Sequence, residues 1–338
     1  MKKNKVIVGM SGGVDSSVSG YLLKEKGFEV VGVTLNHNKE KFLKDEVNQA
    51  KRIAEKLGIK HIEVDIEELF QKEVVDNFLE GYSKGITPSP CVICDERVKF
   101  KVLFDIAYEE DAEFVASGHY CSTEFSEDFK QVLLKVSYDR KKDQSYMLSR
   151  LDEEKIKRLI FPLEKYTKTE IREITKKAGL EVHNKKDSQG ICFAKSGYID
   201  FLRKNLGEKI KKGNFIDKNG NILGEHEGYQ LYTIGQRRGL GLKAPRAYFI
   251  ISIIPETNTI ILGEYEELNW KKILLNDYKE IVPIEKLKGK DLIGRPRFSS
   301  NGALGKLYEE EDKIYFEYLE DNFQNAPGQH LEFIIKIL

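Results

Sequence analysis

The chain has 338 residues, of which 40% are hydrophobic and 33% are charged, so it is long enough to bury the cores of two or three domains. Its 55 Lys and Arg balance its 55 Asp and Glu, so net charge alone gives no argument for a polyanionic partner. The sequence begins with MKKNKVIVGM and has no apolar run approaching ~18 residues, which predicts a cytoplasmic protein with no signal peptide and no membrane contact.

The first half of the chain alternates short buried strands with helices. Strands are predicted at four apolar runs, namely Val6 to Val8, Val30 to Leu35, Ile62 to Ile66 and Phe114 to Ser117. Helices are predicted from Val14 to Lys26 and before Gly58, which suits a C-cap. This alternation predicts an α/β domain with a parallel sheet, helices on both faces and ligands at the carboxyl ends of the strands.

The second half of the chain has a different pattern of glycines and apolar runs. After Phe193, glycines separate short segments, which favours small β-rich modules over further strand–helix units. The alternating runs from Lys313 to Leu319 and from His330 to Ile337 predict strands of a last β domain, with a barrel as the expected form. The predicted domains are residues 1–195, 196–262 and 263–338.

Basic residues concentrate between Lys165 and Lys212. This stretch has 13 Lys and Arg against 6 Asp and Glu, a net charge of +7. A local basic face on a neutral protein suits a bound nucleic acid, and a solvated helical surface is the alternative.

Residues 11 to 17 read SGGVDSS and stand between the first strand and the first helix. Ser11, Gly12 and Gly13 can turn tightly enough to aim backbone N–H groups at an anion, and the helix that follows adds the positive end of its dipole. The run lacks the Lys of a P-loop and the three glycines of a dinucleotide site. It resembles the loop of the ATP pyrophosphatase superfamily, and this resemblance gives Asp15 and Ser16 the roles of serving Mg²⁺ and phosphate. An ordinary glycine turn is the alternative.

The cysteines offer several chemistries. Cys91 and Cys94 form the sequence CVIC, and Cys192 lies far downstream. A CxxC pair suits a redox dithiol, half of a zinc site or part of an iron–sulfur site. Neither a second CxxC nor a well-spaced pair of His exists to complete a zinc site, and Cys121 is expected to be a buried residue without a function.

Six motifs together resemble those of the tRNA-specific 2-thiouridylases. They occur in the family's order: SGGVDSS, CVICDERVKF, SGHY at 117–120, KDQSYML at 142–148, KKDSQGICF at 185–193 and YTIGQRRGLG at 232–241. The resemblance implies an adenine-nucleotide α-hydrolase-like (PP-loop) domain, a small central domain and a C-terminal β-barrel. It also implies 2-thiolation of the wobble uridine in the tRNAs for Glu, Gln and Lys.

The resemblance also assigns roles to the cysteines. ATP would adenylate the 2-oxygen of the uridine, and a persulfide on Cys192 would supply the sulfur. Cys94 would be the nucleophile that attacks this persulfide, and the pair would finish as a disulfide. The implied partners are a cysteine desulfurase or sulfur relay carrier and a cellular reductant. Basic neighbours expected to lower the thiol pKa values are Arg97, Lys99, Lys185 and Lys186.

The remaining site residues follow by matching the motifs. The residues matched to ATP contacts are Gly9, Met10, Ser11, Gly12, Gly13, Val14, Asp15, Ser16, Leu35 and Gly118. The residues matched to tRNA or its target base are Ser89, Pro90, Cys91, Lys142, Asp143, Gln144, Arg237, Arg238, Arg297 and Phe298, with Lys211 and Lys212 as further phosphate contacts. Asp143 and Gln144 are also a plausible helix-start signal.

The chain departs from the family pattern at the active-site loops. Some members carry Asp, proposed as a general base, where Cys91 stands. Cys91, Cys94 and Cys192 could instead hold an iron–sulfur cluster that delivers the sulfur, which is a rival mechanism. Further departures are Ser89, Asp95, Gly190 and a shortened C-terminus. A PP-loop enzyme that adenylates another RNA base or a small acid, and a non-catalytic RNA-binding protein, are the other functional alternatives.

Overall fold

The computed structural model describes residues 4–37, 41–185, 190–242 and 246–335. Contacts divide the chain into two compact units. The first comprises Met1–Val74 and Cys91–Gln189, and the second comprises Val75–Pro90 and Gly190–Leu338. Residues 75–90 therefore group with the second unit although they interrupt the first in sequence, while the predicted divisions near residues 195 and 263 stay predictions.

The described residues of the first unit form seven strands. They are β1 (Lys5–Gly9), β2 (Glu29–Asn36), β3 (Lys60–Asp65), β4 (Phe114–Ala116), β5 (Ser122–Ser126), β6 (Gln131–Lys135) and β7 (Leu159–Ile160). Five of them form a parallel sheet in the order β3-β2-β1-β4-β7, and β5 pairs with β6 in an antiparallel ribbon. The predicted α/β class and the four predicted strands are confirmed.

The helices of this part of the chain connect the strands. They are α1 (Val14–Glu25), α2 (Lys41–Leu57), α3 (Glu67–Phe70), α4 (Asn77–Ser83), α5 (Pro90–Cys94), α6 (Phe100–Glu109), α7 (Ser145–Leu148), α8 (Glu153–Ile156) and α9 (Lys168–Lys177). Gln71–Asp76 and Asp95–Lys99 are π-helical, and Glu181–Asn184 is a 3₁₀ turn. As predicted, Gly58 follows α2 with a φ of +61°, a backbone conformation that favours glycine.

Helices cover both faces of the central strand β1. Val6 and Val8 lie in one core cluster with apolar residues of α1, α2 and α9. Gly9 points to the opposite face, because successive residues of a strand alternate between faces. There a Cβ on Gly9 would stand 3.2 Å from Cδ1 of Leu103 in α6. The sheet is thus covered on both sides, as the strand and helix alternation predicts.

The order of the strands creates a switch point beside β1. The strands β2 and β3 lie on one side of β1, and β4 and β7 lie on the other. The loops that follow β1 and β4 therefore diverge at the carboxyl end of the sheet, where open α/β folds bind their ligands. The loop after β1 is SGGVDSS, and SGHY follows β4.

In the part of the second unit that the structure describes, the strands form two sheets. Its strands are β8 (Gly213–Ile216), β9 (Ile222–His226), β10 (Phe249–Ile254), β11 (Thr259–Gly263), β12 (Lys272–Leu274), β13 (Leu292–Arg295), β14 (Ala303–Glu310), β15 (Lys313–Tyr318) and β16 (Glu332–Ile335). The first sheet has the order β10-β11-β8-β9, and the second has the order β12-β15-β14-β13-β16. The predicted strands near 313–319 and 330–337 are present as β15 and β16; residues 336–338 lie outside the described chain.

The core of the second unit joins its first sheet to helices from two parts of the sequence. Phe78 and Tyr82 of α4 pack in one apolar cluster with Phe215 of β8 and Leu202. Besides α4, the described helices and 3₁₀ turns of this unit are α10 (Tyr198–Leu206), α11 (Ile284–Leu287), Gly207–Lys209, Tyr229–Leu231, Pro255–Thr257 and Tyr265–Leu268. Across the described ranges, no helix combines the length and the apolar character needed to cross a membrane.

Candidate active site

The SGGVDSS loop leaves the sheet at the switch point and is fixed to the neighbouring strand. The backbone N–H of Met10 donates to the carbonyl of Val33 at 2.7 Å, and the hydroxyl of Thr34 donates to the carbonyl of Met10 at 2.8 Å. The side chain of Met10 is buried. The first residues of the loop therefore have a defined position before any ligand arrives.

The interior of the loop is held by its own serines and by a left-handed glycine. Gly12 has a φ of +67°, and a Cβ at this position would stand 2.5 Å from the carbonyl oxygen of Glu46. The Oγ of Ser16 accepts from the backbone N–H of Ser11 at 3.1 Å, and the Oγ of Ser17 donates to the carbonyl of Gly13 at 2.6 Å. Since the serines bond inward, the backbone N–H groups of the first turn of α1 are left to face an anion.

A lysine from a distant helix neutralises the loop's acidic residue. The ammonium of Lys168 lies 2.7 Å from both carboxylate oxygens of Asp15, and the hydroxyl of Tyr120 donates to Oδ1 at 2.9 Å. The side chains of Lys168 and Asp15 are 12% and 31% exposed, so the pair is partly shielded from water. This arrangement places a cation beside the first turn of α1.

Sequence reasoning missed both Lys168 and Tyr120. One local signal was present, since Thr167 and Glu170 form a capping box that starts α9 and makes Lys168 its first residue. That signal predicts where the helix begins. It does not predict that its first side chain faces a loop 153 residues away.

A second lysine reaches the loop from the segment after α9. Lys185, expected beside the thiols, instead donates to the carbonyl of Gly12 at 3.1 Å. Its own carbonyl accepts from Arg172 at 3.0 Å, which fixes this segment to α9. The backbone at Gly118 packs closely against the first turn of α1, because a Cβ on Gly118 would stand 2.7 Å from the backbone nitrogen of Ser16. Two lysines, a helix N-terminus and close-packed backbone together suit a polyphosphate.

The other residues matched to ATP contacts lie at the same edge of the sheet. Gly9 is the last residue of β1 and Leu35 is the penultimate residue of β2, where it is half-buried. Val14 begins α1 with a buried side chain. The structure therefore gathers the predicted ATP residues around one carboxyl edge, although their contacts with a nucleotide remain a prediction.

The CVIC sequence forms a short helix at the start of a long helical run. Val92 and Ile93 are buried, whereas Cys91 is exposed and Cys94 is half-exposed. Residues three apart share one face of a helix, so the apolar pair anchors α5 and the two thiols face away from the core. The following turn, Asp95–Lys99, is π-helical, a distortion often found at functional sites.

A buried acidic residue next to Cys94 organises the charges around the thiols. The carboxylate of Asp95 is 3% exposed, pairs with Lys99 and lies 3.5 Å from Nε2 of His119. Nδ1 of His119 is in turn 2.8 Å from the hydroxyl of Ser117. Burial by itself raises the pKa of Asp95, but Lys99 and then His119 lower it below its ordinary value, so Asp95 is a carboxylate.

Lys99 is the basic residue that the structure brings to the thiols. Burial lowers the pKa of Lys99, but Asp95 and, after it, the thiols of Cys94 and Cys91 raise it to a net value above the ordinary one. Arg97 points elsewhere, since it pairs with Glu73 at 3.6 Å. Lys186, also expected near the thiols, lies outside the described residues.

Cys192 lies in a turn of the second unit. Its neighbours Ile191 and Phe193 pack against the core of that unit, and the thiol of Cys192 between them is exposed. The turn is closed by a hydrogen bond from the N–H of Ala194 to the carbonyl of Ile191 at 3.0 Å. Cys121 is buried, as expected, and its thiol donates to the carbonyl of Lys135 at 3.3 Å.

The KDQ motif at 142–144 has a clear local role. The buried carboxylate of Asp143 accepts from the backbone N–H of Ser137 at 2.8 Å and from the hydroxyl of Ser145 at 2.9 Å. The side-chain oxygen of Gln144 accepts from the backbone N–H of Tyr120 at 3.0 Å. Asp143 and Gln144 thus organise the start of α7 and the loop after β4, and Lys142 is half-exposed. Their contact with tRNA remains a prediction.

The segment before the CVIC helix is partly accessible. Ser89 is half-exposed and Pro90 is buried. Pro88 packs on α4, because a Cβ on Gly81 would stand 3.0 Å from its ring. The expected contact of Ser89, Pro90 and Cys91 with a target base is a prediction that follows from the resemblance alone.

Arginines cluster around the GQRRGLG loop of the second unit. Arg237 and Arg238 are exposed, and the guanidinium of Arg237 lies 5.9 Å from the ring centroid of Phe249. A groove of about 340 Å³ beside this loop is lined in part by Arg237, Arg246 and Tyr248. Such arginine and aromatic surfaces suit the phosphates and bases of RNA.

The remaining predicted tRNA residues lie in the same unit. Nη2 of Arg297 donates to the carbonyl of Ile234 at 3.3 Å, directly before the GQRRGLG loop. Phe298 beside it is 45% exposed. Lys211 and Lys212 are exposed on the strand-entry segment before β8. The structure therefore brings Arg297 to the loop that carries the arginine pair.

The described residues offer little for a resident metal. Within the described ranges, no three His, Cys, Asp or Glu side chains lie close enough together to hold a metal ion. Asp15 could contribute one carboxylate to a Mg²⁺ ion, which commonly takes its other ligands from phosphates and water. Cys91 and Cys94 on α5 could contribute two thiolates to an iron–sulfur cluster.

Comparisons with known proteins agree over nearly the whole chain. A family model described as the tRNA methyl transferase HUP domain matches residues 4–196, and one described as the tRNA methyl transferase PRC-barrel domain matches residues 199–264. The tRNA-specific 2-thiouridylase MnmA 2 of Fusobacterium nucleatum is 58% identical over 97% of this chain and 96% of its own length. The tRNA-specific 2-thiouridylase MnmA 1 of Caldanaerobacter subterraneus is 41% identical over 98% of this chain and 94% of its own length.

A solved structure is also similar in part. The U34-tRNA thiolase NcsA from Methanococcus maripaludis with its [4Fe-4S] cluster shares 25% identity over 61% of this chain and 68% of that one, with a TM-score of 0.39. A likeness at this TM-score carries no argument about the ligands of the present chain.

Proposed function

The chain belongs to the family of the tRNA-specific 2-thiouridylases, and we propose that it replaces the 2-oxygen of the wobble uridine of tRNA by sulfur, with ATP split into AMP and pyrophosphate. The observation that carries this proposal is the SGGVDSS loop at the switch point, flanked by Lys168 and Lys185. A methyl transferase, as the family models are described, would need neither a pyrophosphate loop nor paired thiols.

The first step of the proposed reaction is adenylation. The 2-oxygen of uracil is a poor leaving group, and its attack on the α-phosphate of ATP makes it part of an AMP leaving group. The released pyrophosphate gains negative charge next to the N-terminus of α1, where Lys168 and Lys185 would stabilise it. A Mg²⁺ ion held by Asp15 and the phosphates would neutralise further phosphate charge.

The second step supplies the sulfur. In the proposal Cys192 carries a persulfide, and the Cys94 thiolate attacks its inner sulfur, which releases hydrosulfide and forms a disulfide between Cys94 and Cys192. Hydrosulfide attacks the activated C2 of the uridine, and AMP leaves with the former 2-oxygen. The two electrons lost by the thiols must return from a cellular reductant. The exposure of both thiols supports this assignment, since each must meet large substrates.

The tRNA is proposed to bind through Arg237, Arg238, Arg297 and Phe298, with the lysines before β8 as further phosphate contacts. The exposed side chains of Arg237 and Arg238, and the half-buried Arg297 bonded to the residue before their loop, support this assignment. The proposed substrates are the tRNAs for Glu, Gln and Lys. The proposed sulfur donor is a cysteine desulfurase or a sulfur relay carrier, and the proposed location is the cytoplasm.

An alternative route within the same reaction uses an iron–sulfur cluster on Cys91, Cys94 and Cys192. The donor chemistry suits a cluster, because Cys thiolates hold iron. Cys91 and Cys94 share the helix α5 and would supply two of the ligands, with Cys192 as the third. We derive no step through a cluster, and this route is an outcome of the experiment.

The test is thiolation of unmodified tRNA-Glu by anaerobically purified protein, with ATP, Mg²⁺ and a persulfide donor. The matched controls are the same tRNA with cytidine at the wobble position and the Cys192→Ala variant. We expect one thiolated uridine per tRNA from iron-free protein and none from either control. Thiolation that requires bound iron would replace the persulfide route with the cluster route, and the absence of any thiolated product would refute the function.

A further inference from the structure

We propose that Cys91 is the resolving thiol of turnover. In this inference, which rests on the proposed function, the Cys91 thiolate attacks Sγ of Cys94 in the disulfide that joins Cys94 to Cys192. A disulfide then forms between Cys91 and Cys94, and Cys192 is released as a thiolate. This exchange consumes no electrons. A cellular dithiol afterwards gives two electrons and two protons to the CVIC disulfide and is itself oxidised to a disulfide.

The helix places the two thiols at a distance that exchange can bridge. Cys91 and Cys94 are three residues apart within Pro90–Cys94, so their side chains share one helical face. Cβ atoms at this spacing are ~5–6 Å apart, and a disulfide needs ~3.5–4.5 Å. An approach of about 1–2 Å closes the bond. The short length of α5 and the π-helical turn that follows make such an adjustment local.

Burial determines which way the pair faces. Val92 is 0% and Ile93 is 7% exposed, and these two apolar side chains hold α5 to the protein. Cys91 is exposed and Cys94 is half-exposed, so Cys91 is the thiol that a second molecule can reach more easily. A disulfide confined to this helix is open to a reductant. Cys192 is meanwhile returned to the state that accepts a new persulfide.

A cation lies next to the helix that carries the two thiols. The positive charge of Lys99 acts on the thiols of both Cys94 and Cys91. Asp95 pairs with Lys99 and lies 3.5 Å from Nε2 of His119, and the hydroxyl of Ser117 contacts Nδ1 of the same histidine. Thiol–disulfide exchange proceeds through the thiolate, so a fixed cation that serves both sulfurs supports attack by either one.

The experiment compares single and repeated turnover in the full chain. Wild type, Cys91→Ser, Cys91→Ala and the control Cys121→Ser are purified anaerobically, and their thermal midpoints establish that they fold. Each is loaded with persulfide and given tRNA-Glu and ATP without reductant, and its disulfides are mapped by mass spectrometry. A second series contains a limiting dithiol reductant and is followed over many turnovers.

We expect both Cys91 variants to make the first thiolated tRNA and to lose at least ~10-fold more in repeated turnover than in this first turnover. We also expect wild type to end with the disulfide between Cys91 and Cys94, and the variants to end with the one between Cys94 and Cys192. Unchanged repeated turnover in Cys91→Ser, or a wild-type product joined through Cys192, would overturn the inference. Loss of even the first turnover would make Cys91 part of the chemistry instead and would also overturn it. The absence of thiolated tRNA in wild type would refute the proposed function itself.

Discussion

Replacement of Lys168 by Ala should separate stability from catalysis. Lys168 contacts both carboxylate oxygens of Asp15 at 2.7 Å, and the two side chains are 12% and 31% exposed. The pair lies between an exposed ion pair, worth about 0.2–1 kcal/mol, and a buried one, whose disruption costs about 3–5 kcal/mol. We therefore expect Lys168→Ala to lower the free energy of unfolding by about 1–2 kcal/mol.

The expected effect on the reaction is larger. Loss of one preorganised charge beside a developing anion typically lowers kcat by about 10²–10³-fold. The assay is ATP-dependent release of pyrophosphate in the presence of unmodified tRNA. The matched control is Lys165→Ala, because Lys165 precedes the same helix and its side chain is 84% exposed. We expect the control to stay within about twofold of wild type, since exposed pairs contribute little.

A double-mutant cycle with Asp15→Asn distinguishes the two roles of Lys168. If Lys168 only neutralises Asp15, its replacement in the Asp15→Asn background should have no further effect on the rate of pyrophosphate release. If it acts on the phosphates, Lys168→Ala should still slow that rate at least ~10-fold in this background. A rate for the single variant Lys168→Ala within threefold of wild type at saturating ATP would refute the reasoning.

The remaining predictions concern stability. Gly12→Ala should lower the free energy of unfolding by roughly 2–4 kcal/mol, because the left-handed backbone and a contact of 2.5 Å with the carbonyl of Glu46 act together. The control Gly27→Ala, where φ is +83° and no atom lies near the added Cβ, should lower the free energy of unfolding by only about 1–2 kcal/mol. Both free energies are measured by chemical denaturation, and equal losses in the two variants would contradict this explanation. Burial lowers the pKa of His226 below 6.5, which the backbone of Asn258 offsets only in part. The unfolded chain therefore takes up a proton at higher pH than the folded chain, and stability falls as pH drops below about 6.5. Between pH 8 and pH 5 the thermal midpoint of His226→Phe should therefore fall less than that of wild type. If the two proteins show the same fall in thermal midpoint with pH, His226 is not the group responsible.

The sequence alone determined the features that depend on neighbours in the chain. The pyrophosphate loop is specified by its glycines and by the apolar strand before it, and α2 ends just before Gly58 because glycine adopts the φ of +61° there. The strands beside β1 follow from short apolar runs, and their alternation with helices determines a parallel sheet. The carboxyl edge of that sheet, and hence the place of the loop, could therefore be predicted.

Only the tertiary structure decided which distant side chains meet at that edge. Lys168 contacts Asp15 across 153 residues because α9 and α1 pack in one apolar core. His119, in the segment after β4, lies 3.5 Å from Asp95, and the ring of Phe100 at the start of α6 packs against the same histidine. No local pattern distinguishes Lys168 from the solvated lysines around it. The sequence also does not predict that residues 75–90 pack with the second unit, since Phe78 and Tyr82 would suit any apolar core. Composition and periodicity determine which face of a segment is apolar and can be buried. Which other segment covers that face is determined only by the packing of the whole chain.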